Sequence, residues 1–468
     1  MRDIYERAWN VVIWLGQGWD NFHLVMRYLE QMGQNQSFHI HPAINPSLQL
    51  DGRDITAPEI QKGLKMFFGS SWWTRVWTVQ EYLLSRRSVF QCGRYLLDRN
   101  VARQGVQSYF HHLERCCSAL RSDCPNHNDI FKSLIVMENV EYIRLLLQDV
   151  SLPYIFSQFR NTRDATDMRD KIFGMLGLAR GQYQNIIRPN YLLSTEQNFE
   201  LATVEIMKNT RPLEILSHIP VAGERNLSLP SYVPDWTVSA KDDYYYTDWL
   251  NWVGHLHLYN ACKDEVADLE IIEPGVLALK GSVIEEIDLV GSVPGSVSYG
   301  AFLEELISLA AICKDANRDP IVVDWAPKTA FWSVICGTME NYLDSDRDNR
   351  PFYRRILPLS SFERFDKWIS WYPSNSAIGM DAEVLSTHRP FIVVSAGRKF
   401  AVTKKGRLAW CPVKSNPGDV IAILAGGSVP FVLRIGDNGR YTVVGDAYIQ
   451  GIMDGEILTD DLEFIELI

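Results

Sequence analysis

The sequence predicts an α/β plus α+β chain: an α/β unit on a parallel sheet, a helical connector, and a β-rich C-terminal domain with inserted helices. Three observations predict it. "NVVIWLG" (10–16) and "SVFQCG" (88–93) are short, mainly apolar runs ended by glycine, with helical sequence between them. Such runs read as strands covered on both faces. From "VLALKGSVIEEIDLVG" (276–291) onward, and again from "PFIVV" (390), short alternating runs are separated by glycine turns. Between these regions lies a long amphipathic stretch with its own helix-capping signature. We place the boundaries at 1–180, 181–245 and 246–468, with the helical insertion at about 300–385.

Taken in order, residues 3–10 are helical in pattern and run into the first strand. "HPAINPSLQLDGRD" (41–54) is a polar loop with two prolines, and a helix follows at about 57–67. The helix of "RVWTVQE" (75–81) comes next, then the strand "SVFQCG", with "RYLLDRN" turning into helix. Residues 102–150 are helical. "RDKIFGMLGLA" (169–179) places Ile172, Met175, Leu176 and Ala179 at i, i+3, i+4 and i+7. In "RPNYLLSTEQNFELATVEIMKNT" (188–210), Ser194 or Thr195 precedes Gln197 and a long amphipathic run, which marks a helix start. "LSLPSYVPDWT" (227–237) carries two prolines and reads as an extended crossing. "HLHLYNACK", "ADLEII" and 276–291 alternate as strands, 300–345 and 360–370 return to helix, and the tail is strands with turns at "AGRK", "KKGR", "AGGS" and "GDNGR". "VIAILAGGSVPFVLRI" (420–435) is split by "GGSVP", so it reads as two strands and a turn rather than a membrane span.

Composition narrows the function classes. A chain of 468 residues that is 46% hydrophobic and 12% aromatic, with 14 Trp, can build a large core. The net charge of −11 argues against a general affinity for nucleic acid or anionic membrane. "RDIYERAWN" has neither the apolar core of a signal peptide nor the Arg/Ser-rich look of a transit peptide. The eight cysteines (92, 116, 117, 124, 262, 313, 336, 411) form no disulfide framework. Together these features predict a cytoplasmic chain. In "CCSALRSDCPNH" only Cys124-x-x-His127 has the spacing of a zinc pair, so no metal and no cofactor is expected. His41, His111 and His112 read as surface histidines.

The helix around "RVWTVQE" concentrates the chemistry. At ~100° per residue, Trp73, Val76, Trp77, Val79, Leu83 and Leu84 share one broad apolar arc. Gln80 lies near the middle of that arc, and Glu81 at its edge, one turn from Trp77. Arg75, Thr78, Ser85 and Arg86 take the opposite side. An unpaired buried amide costs ~1–3 kcal/mol, so Gln80 requires partners. Glu81, half-desolvated against an indole, suits a general base or a group that steadies a cation. The alternative is that Gln80 and Glu81 tie neighbouring loops together and bind an arginine.

"IYERAWNVVIWLG", "SWWTRVWTVQEYLLSRRSVFQCG", "RDKIFGMLGLA", "LPSYVPDWT" and the tail "GDVIAILAGGSVPFVLR…GRYTVVGDAYIQGIMDGE" occur in that order over almost the whole chain. Together they resemble the fungal heterokaryon incompatibility (HET) domain proteins. The resemblance implies a role in fungal non-self recognition and programmed cell death, with protein partners in incompatibility signalling and self-association. The HET domain in turn is distantly similar to the TIR fold, a flavodoxin-like parallel sheet. Some TIR domains cleave NAD+ with a glutamate four residues after a tryptophan on a helix, the spacing of Trp77 and Glu81. By that analogy Glu81 is the catalytic carboxylate, steadying the oxocarbenium-like ribose of an NAD+ substrate. Trp77, Arg75 and Gln80 line its pocket.

The family pattern opens with further strands, of Y-x-A-L-S-Y-x-W-G-like and C-I-D-Q-like sequence, and neither is present here. The expectation is therefore a truncated TIR-like sheet, for which the alternative to catalysis is a non-catalytic interaction module or an inactive fragment. Asp170 and Lys171 are candidates to pair with Arg75 or Arg163. "MDGE" (453–456) reads as a turn.

Overall fold

The computed structural model describes residues 1–18, 22–37, 39, 49–50, 53–54, 57–117, 127–148, 150–210, 213–219, 225–238, 245–315, 327–343, 351–356, 362–374, 380–458 and 461–468. The chain forms two compact units, Met1–Asn185 and Ile186–Ile468.

In the first unit, α1 (Arg2–Arg7) leads into β1 (Val11–Trp14) and α2 (Phe22–Gln34). A small pair of strands, β2 (Gln49–Leu50) and β3 (Arg53–Asp54), precedes α3 (Ala57–Phe68), and a 3-10 turn at Ser71–Thr74 precedes α4 (Thr78–Leu84). Then come β4 (Ser88–Cys92), β5 (Tyr95–Asp98), α5 (Arg99–Glu114), α6 (His127–Leu146), α7 (Leu152–Arg160) and the single-turn α8 (Asp170–Phe173). The sheet has the order β1-β4-β5, with β1 parallel to β4 and β4 antiparallel to β5.

Two expectations change here. Tyr95–Asp98 is a strand, because Gly93 takes φ +54° and turns the chain into a hairpin, and the helix waits for Asp98 to cap Asn100 and Val101. β1 is covered on one face only: Ile13 is sealed, whereas Val12 and Trp14 remain 52% and 49% exposed. An apolar run does not by itself distinguish a strand covered on one face from one covered on both.

The core of this unit is aromatic. Phe67, Trp72, Trp73, Tyr82 and Phe90 pack with centroid separations of 4.9–6.3 Å, in the tilted and edge-on arrangements that ring quadrupoles favour. A buried polar knot adjoins it. The Tyr82 hydroxyl donates to Glu141 (2.5 Å), which also takes Arg144 (2.7 Å), while Arg99 donates to the carbonyls of Tyr82 and Ser85.

The second unit opens with α9 (Thr195–Asn209). Its capping box is complete, Ser194 accepting from Gln197 N and the Gln197 side chain from Ser194 N. Further on, α10 (Tyr246–Val253), β6 (Leu269–Glu273) and the long β7 (Val276–Val290) are followed by α11 (Tyr299–Asp315), α12 (Pro327–Ile335), β8 (Met339–Leu343), β9 (Pro351–Arg355), α13 (Phe362–Trp371) and α14 (Ala382–Ser395). The tail holds β10 (Arg398–Thr403), β11 (Leu408–Pro412), β12 (Val420–Leu424), β13 (Phe431–Ile435), β14 (Tyr441–Asp446), β15 (Tyr448–Ile449) and β16 (Glu463–Leu467).

Strand β7 organises this unit. Its first part pairs with β16, its middle with β12 and its end with β10, so β12-β13-β14-β16-β7 close into a ring. Closure leaves no free edge within this ring, while β6 on β7 and β15 on β11 end the branches of the sheet. Ile287, Ala401, Ile421, Val432 and Ile449 are among the side chains filling the core. A buried ion pair adjoins it: Asp446 accepts from Arg398 (2.5 Å) and from the Trp252 indole (2.6 Å), and the Arg398 guanidinium lies over that indole.

Three local readings of this region differ from the structure. "PFIVV" is the end of α14, which Asp381 caps at Val384 and which carries Pro390 inside it. "HLHLYNACK" holds a 3-10 turn at Leu256–Leu258 instead of a strand. The run read as helix to 345 ends in the hairpin β8–β9. In each, tertiary packing outweighs local propensity, which is ~1 kcal/mol or less for most residues and ~3 kcal/mol for a proline inside a helix such as Pro390. Among the described residues no helix is long and apolar enough to cross a membrane.

Candidate functional site

The "RVWTVQE" stretch is a broken element, not one helix. Arg75 is extended and bridges Asp164, with Val76 N donating to Asp164 O (3.0 Å), and α4 starts only at Thr78. The break rotates the helix relative to the continuous arc expected from spacing. Thr78, expected on the polar side, is fully buried, its hydroxyl donating to Trp72 O (2.8 Å) and Arg75 O (2.6 Å). Ser85 is likewise buried.

Glu81 is half-buried, and two neutral donors take its carboxylate. Trp72 Nε1 donates to Oε2 (2.9 Å) and the Tyr5 hydroxyl to Oε1 (3.3 Å). The indole bonded to Glu81 is therefore that of Trp72. Trp77, four residues before Glu81, donates its Nε1 to Asp170 Oδ2 (3.1 Å). Burial, then the charge of Glu81 and its hydrogen bond, push the Tyr5 phenol up to about 12, with Arg75 pulling the other way. Tyr5 thus stays a protonated donor at neutral pH. Arg75 itself is exposed.

Gln80 is 1% exposed. Its Nε2 donates to Gly174 O (2.7 Å), and Gly177 lies so close that a Cβ there would fall 2.2 Å from Gln80 Oε1. Lys171 donates to the carbonyls of Arg160 (3.1 Å) and Arg163 (2.5 Å). Arg163 is fully buried over the Phe159 ring, and burial lowers its pKa to about 9. Of the residues named from sequence, Glu81 meets two aromatic donors, whereas Gln80 and Trp77 join α4 to the 170–177 segment. Spacing does not single out Tyr5 and Trp72 as partners; the signal it offers is only that both are aromatics with a polar tip flanking the helix.

Elsewhere in the unit, the structure gathers residues that spacing left apart. His112 is buried rather than on the surface, and Cys116, Cys117 and His39 lie beside it. Cys124 and His41 lie outside the described residues, as do the side chain of His127 and most of the loop at 41–54. "MDGE" is a turn in which Asp454 pairs with Arg355 (2.6 Å).

Comparison with known proteins gives two family matches. Residues 1–81 match the family described as Heterokaryon incompatibility protein (HET), and residues 377–464 match the Het-6 beta-barrel domain. The second match covers strands β10 to β15, most of the closed sheet. The chain is similar to "Heterokaryon incompatibility protein 6, OR allele" of Neurospora crassa, 24% identical over 541 aligned positions that cover 98% of this chain and 78% of the relative. No solved structure matches the chain.

Proposed function

From its standing as a HET-domain protein, we propose that this chain acts in fungal heterokaryon incompatibility, the role printed in its relative's name. In this reading its first unit is a non-catalytic signalling module in a cytoplasmic non-self response leading to cell death. It works through protein partners and self-association. The observation that carries the non-catalytic reading is the use already made of the "RVWTVQE" side chains. Gln80 ties α4 to Gly174, Trp77 goes to Asp170, and both Glu81 oxygens accept protein hydrogen bonds. These are the bonds of a scaffold that holds α1, α4 and the 170–177 turn in one arrangement.

A second reading rests on one further observation. Glu81 is half-buried, beside the rings of Trp72 and Tyr5, with Tyr5 in reach of the Arg75 charge. An anionic carboxylate framed by aromatics suits stabilisation of a ribosyl cation, as the TIR analogy of NAD+ cleavage requires.

Glu81→Gln separates the two. The amide keeps an oxygen to accept from Trp72 but has no charge to offer a cation. Expressed in a fungal host, this variant retains growth inhibition and leaves NAD+ levels unchanged if the module reading holds. Loss of inhibition together with loss of NAD+ consumption, in a variant that folds as the wild type does, overturns that reading in favour of catalysis.

A further inference from the structure

Helices α2 and α5 pack closely, and two glycines allow it. A Cβ on Gly33 would lie 2.3 Å from the Val101 carbonyl oxygen, and one on Gly105 2.4 Å from that of Leu29. This approach brings the residues just past α2 against the last turn of α5. His112 stands in that last turn, and Cys116 and Cys117 follow it on a tight backbone turn in which Cys117 N donates to His112 O (2.8 Å). His39 arrives from the chain beyond α2, 73 residues before His112.

The ligand-type atoms of these four side chains all lie within 4.8 Å of one another. The two sulfurs are 3.9 Å apart, and His39 Nδ1 lies 3.6 Å from Cys116 Sγ and 3.5 Å from Cys117 Sγ. A tetrahedral zinc with Zn–S ≈ 2.3 Å and Zn–N ≈ 2.0–2.1 Å has edges of about 3.8 Å between sulfurs and about 3.6 Å between sulfur and nitrogen. Three measured edges match. The fourth, His112 Nδ1 to Cys116 Sγ, is 3.0 Å, a hydrogen-bond distance that a metal would open.

The tautomer of a neutral His112 ring is set by its other nitrogen. Nε2 lies 2.6 Å from the Gln36 carbonyl oxygen, which can only accept, so Nε2 carries a proton and in the neutral ring the Nδ1 lone pair faces the cluster. An imidazole oriented by a backbone carbonyl behind it is the usual support of a metal-binding histidine. The cluster also sits just past the C-terminus of α5, where the helix dipole favours a cation.

We propose that His39, His112, Cys116 and Cys117 bind one zinc ion, a structural site that clamps the end of α5 to the chain leaving α2. Two thiolates and two neutral imidazoles are a donor set suited to this borderline-soft cation, and four protein ligands leave no open position for a substrate. Binding releases the two thiol protons and leaves the site, Zn2+ with two thiolates and two neutral imidazoles, with no net charge.

The test uses the untagged full-length chain, reduced, loaded with zinc sulfate and desalted, with metal measured by plasma mass spectrometry. One zinc per chain is expected in the wild type and in His111→Ala, whose exposed side chain neighbours the site. Loss of bound zinc is expected in Cys117→Ser and His39→Gln. Cobalt(II) titrated into the wild type provides a readout that no variant's folding can confuse. Intense tetrahedral d–d bands with a thiolate charge-transfer band support the site. Substoichiometric zinc in the reduced wild type, an octahedral cobalt spectrum, or full zinc retention in both ligand variants overturns it. So does a Cys116–Cys117 disulfide in protein kept under reductant. Growth inhibition in the Glu81 experiment is a separate readout, so failure here leaves the functional proposal standing.

Discussion

The contact between Gln80 and Gly177 yields a double-mutant cycle with an unusual expected sign. Replacing Gln80 by Ala removes the hydrogen bond to Gly174 O and leaves that carbonyl buried without its donor, a cost of ~1–3 kcal/mol. The lost methylene adds ~0.8 kcal/mol, while removal of the unpartnered Oε1 returns part of the total, giving about 2 kcal/mol. Replacing Gly177 by Ala puts a methyl 2.2 Å from Oε1, and the amide, fixed at its other end, cannot swing away, so overpacking costs ~1–3 kcal/mol. In Gln80→Ala/Gly177→Ala the clash is gone and the new methyl enters space the amide vacated. The double variant is therefore expected to lose about 2 kcal/mol rather than about 4, a coupling of about 2 kcal/mol, well outside the ~0.5 kcal/mol scatter of independent sites. At ~2–4 °C per kcal/mol for a unit of this size, each single change lowers Tm by about 4–8 °C and the double by no more. Urea titration of the full chain gives the free energies, and hydrogen exchange over 170–179 localises them. Additive losses would refute the account of Gln80 as a spacer packed against Gly177.

Two further outcomes concern the second unit. Burial raises the Asp248 carboxyl from 3.8 to about 6, so the folded state holds its proton more tightly than the unfolded chain. Its contribution to stability is full below pH ~4 and is lost as pH rises through about 6. Asp248→Asn should therefore raise Tm at pH 7.5, by an amount equivalent to about 1–2 kcal/mol after screening at this partly exposed group, and leave it unchanged at pH 4. An equal shift at both pH values, by differential scanning fluorimetry, contradicts the titration. Asp446→Asn keeps an acceptor for Trp252 but strands the buried Arg398 cation, at a cost of about 3–5 kcal/mol. Replacing Arg398 and Asp446 together by Met and Leu should cost less than the single change, and a larger loss in the pair would refute the ion-pair account.

Much of this architecture is legible in residue order. Ser194 and Gln197 announce a capping box because that motif is local, closing within one helical turn. The strands of 276–291 and of the tail are legible because alternation and glycine turns act over a few residues. Where tertiary packing overrides local preference, the sequence points the other way: "PFIVV" is rich in β-branched residues yet ends a helix, and "YLLD" precedes a helix yet forms a hairpin strand.

The candidate site divides in the same way. Spacing alone places Glu81 on a partly apolar helix and identifies Gln80 as needing an internal partner, because both follow from helical periodicity. Which indole reaches the carboxylate depends on the break at Arg75, set by the bridge to Asp164, 89 positions away. The convergence of His39 with His112, Cys116 and Cys117 depends on how closely two helices pack through Gly33 and Gly105. Sequence determines which groups are available and how each short segment tends to fold. Only the packed structure decides which groups meet, because those meetings are paid for by burial summed over the whole core and not by any local preference.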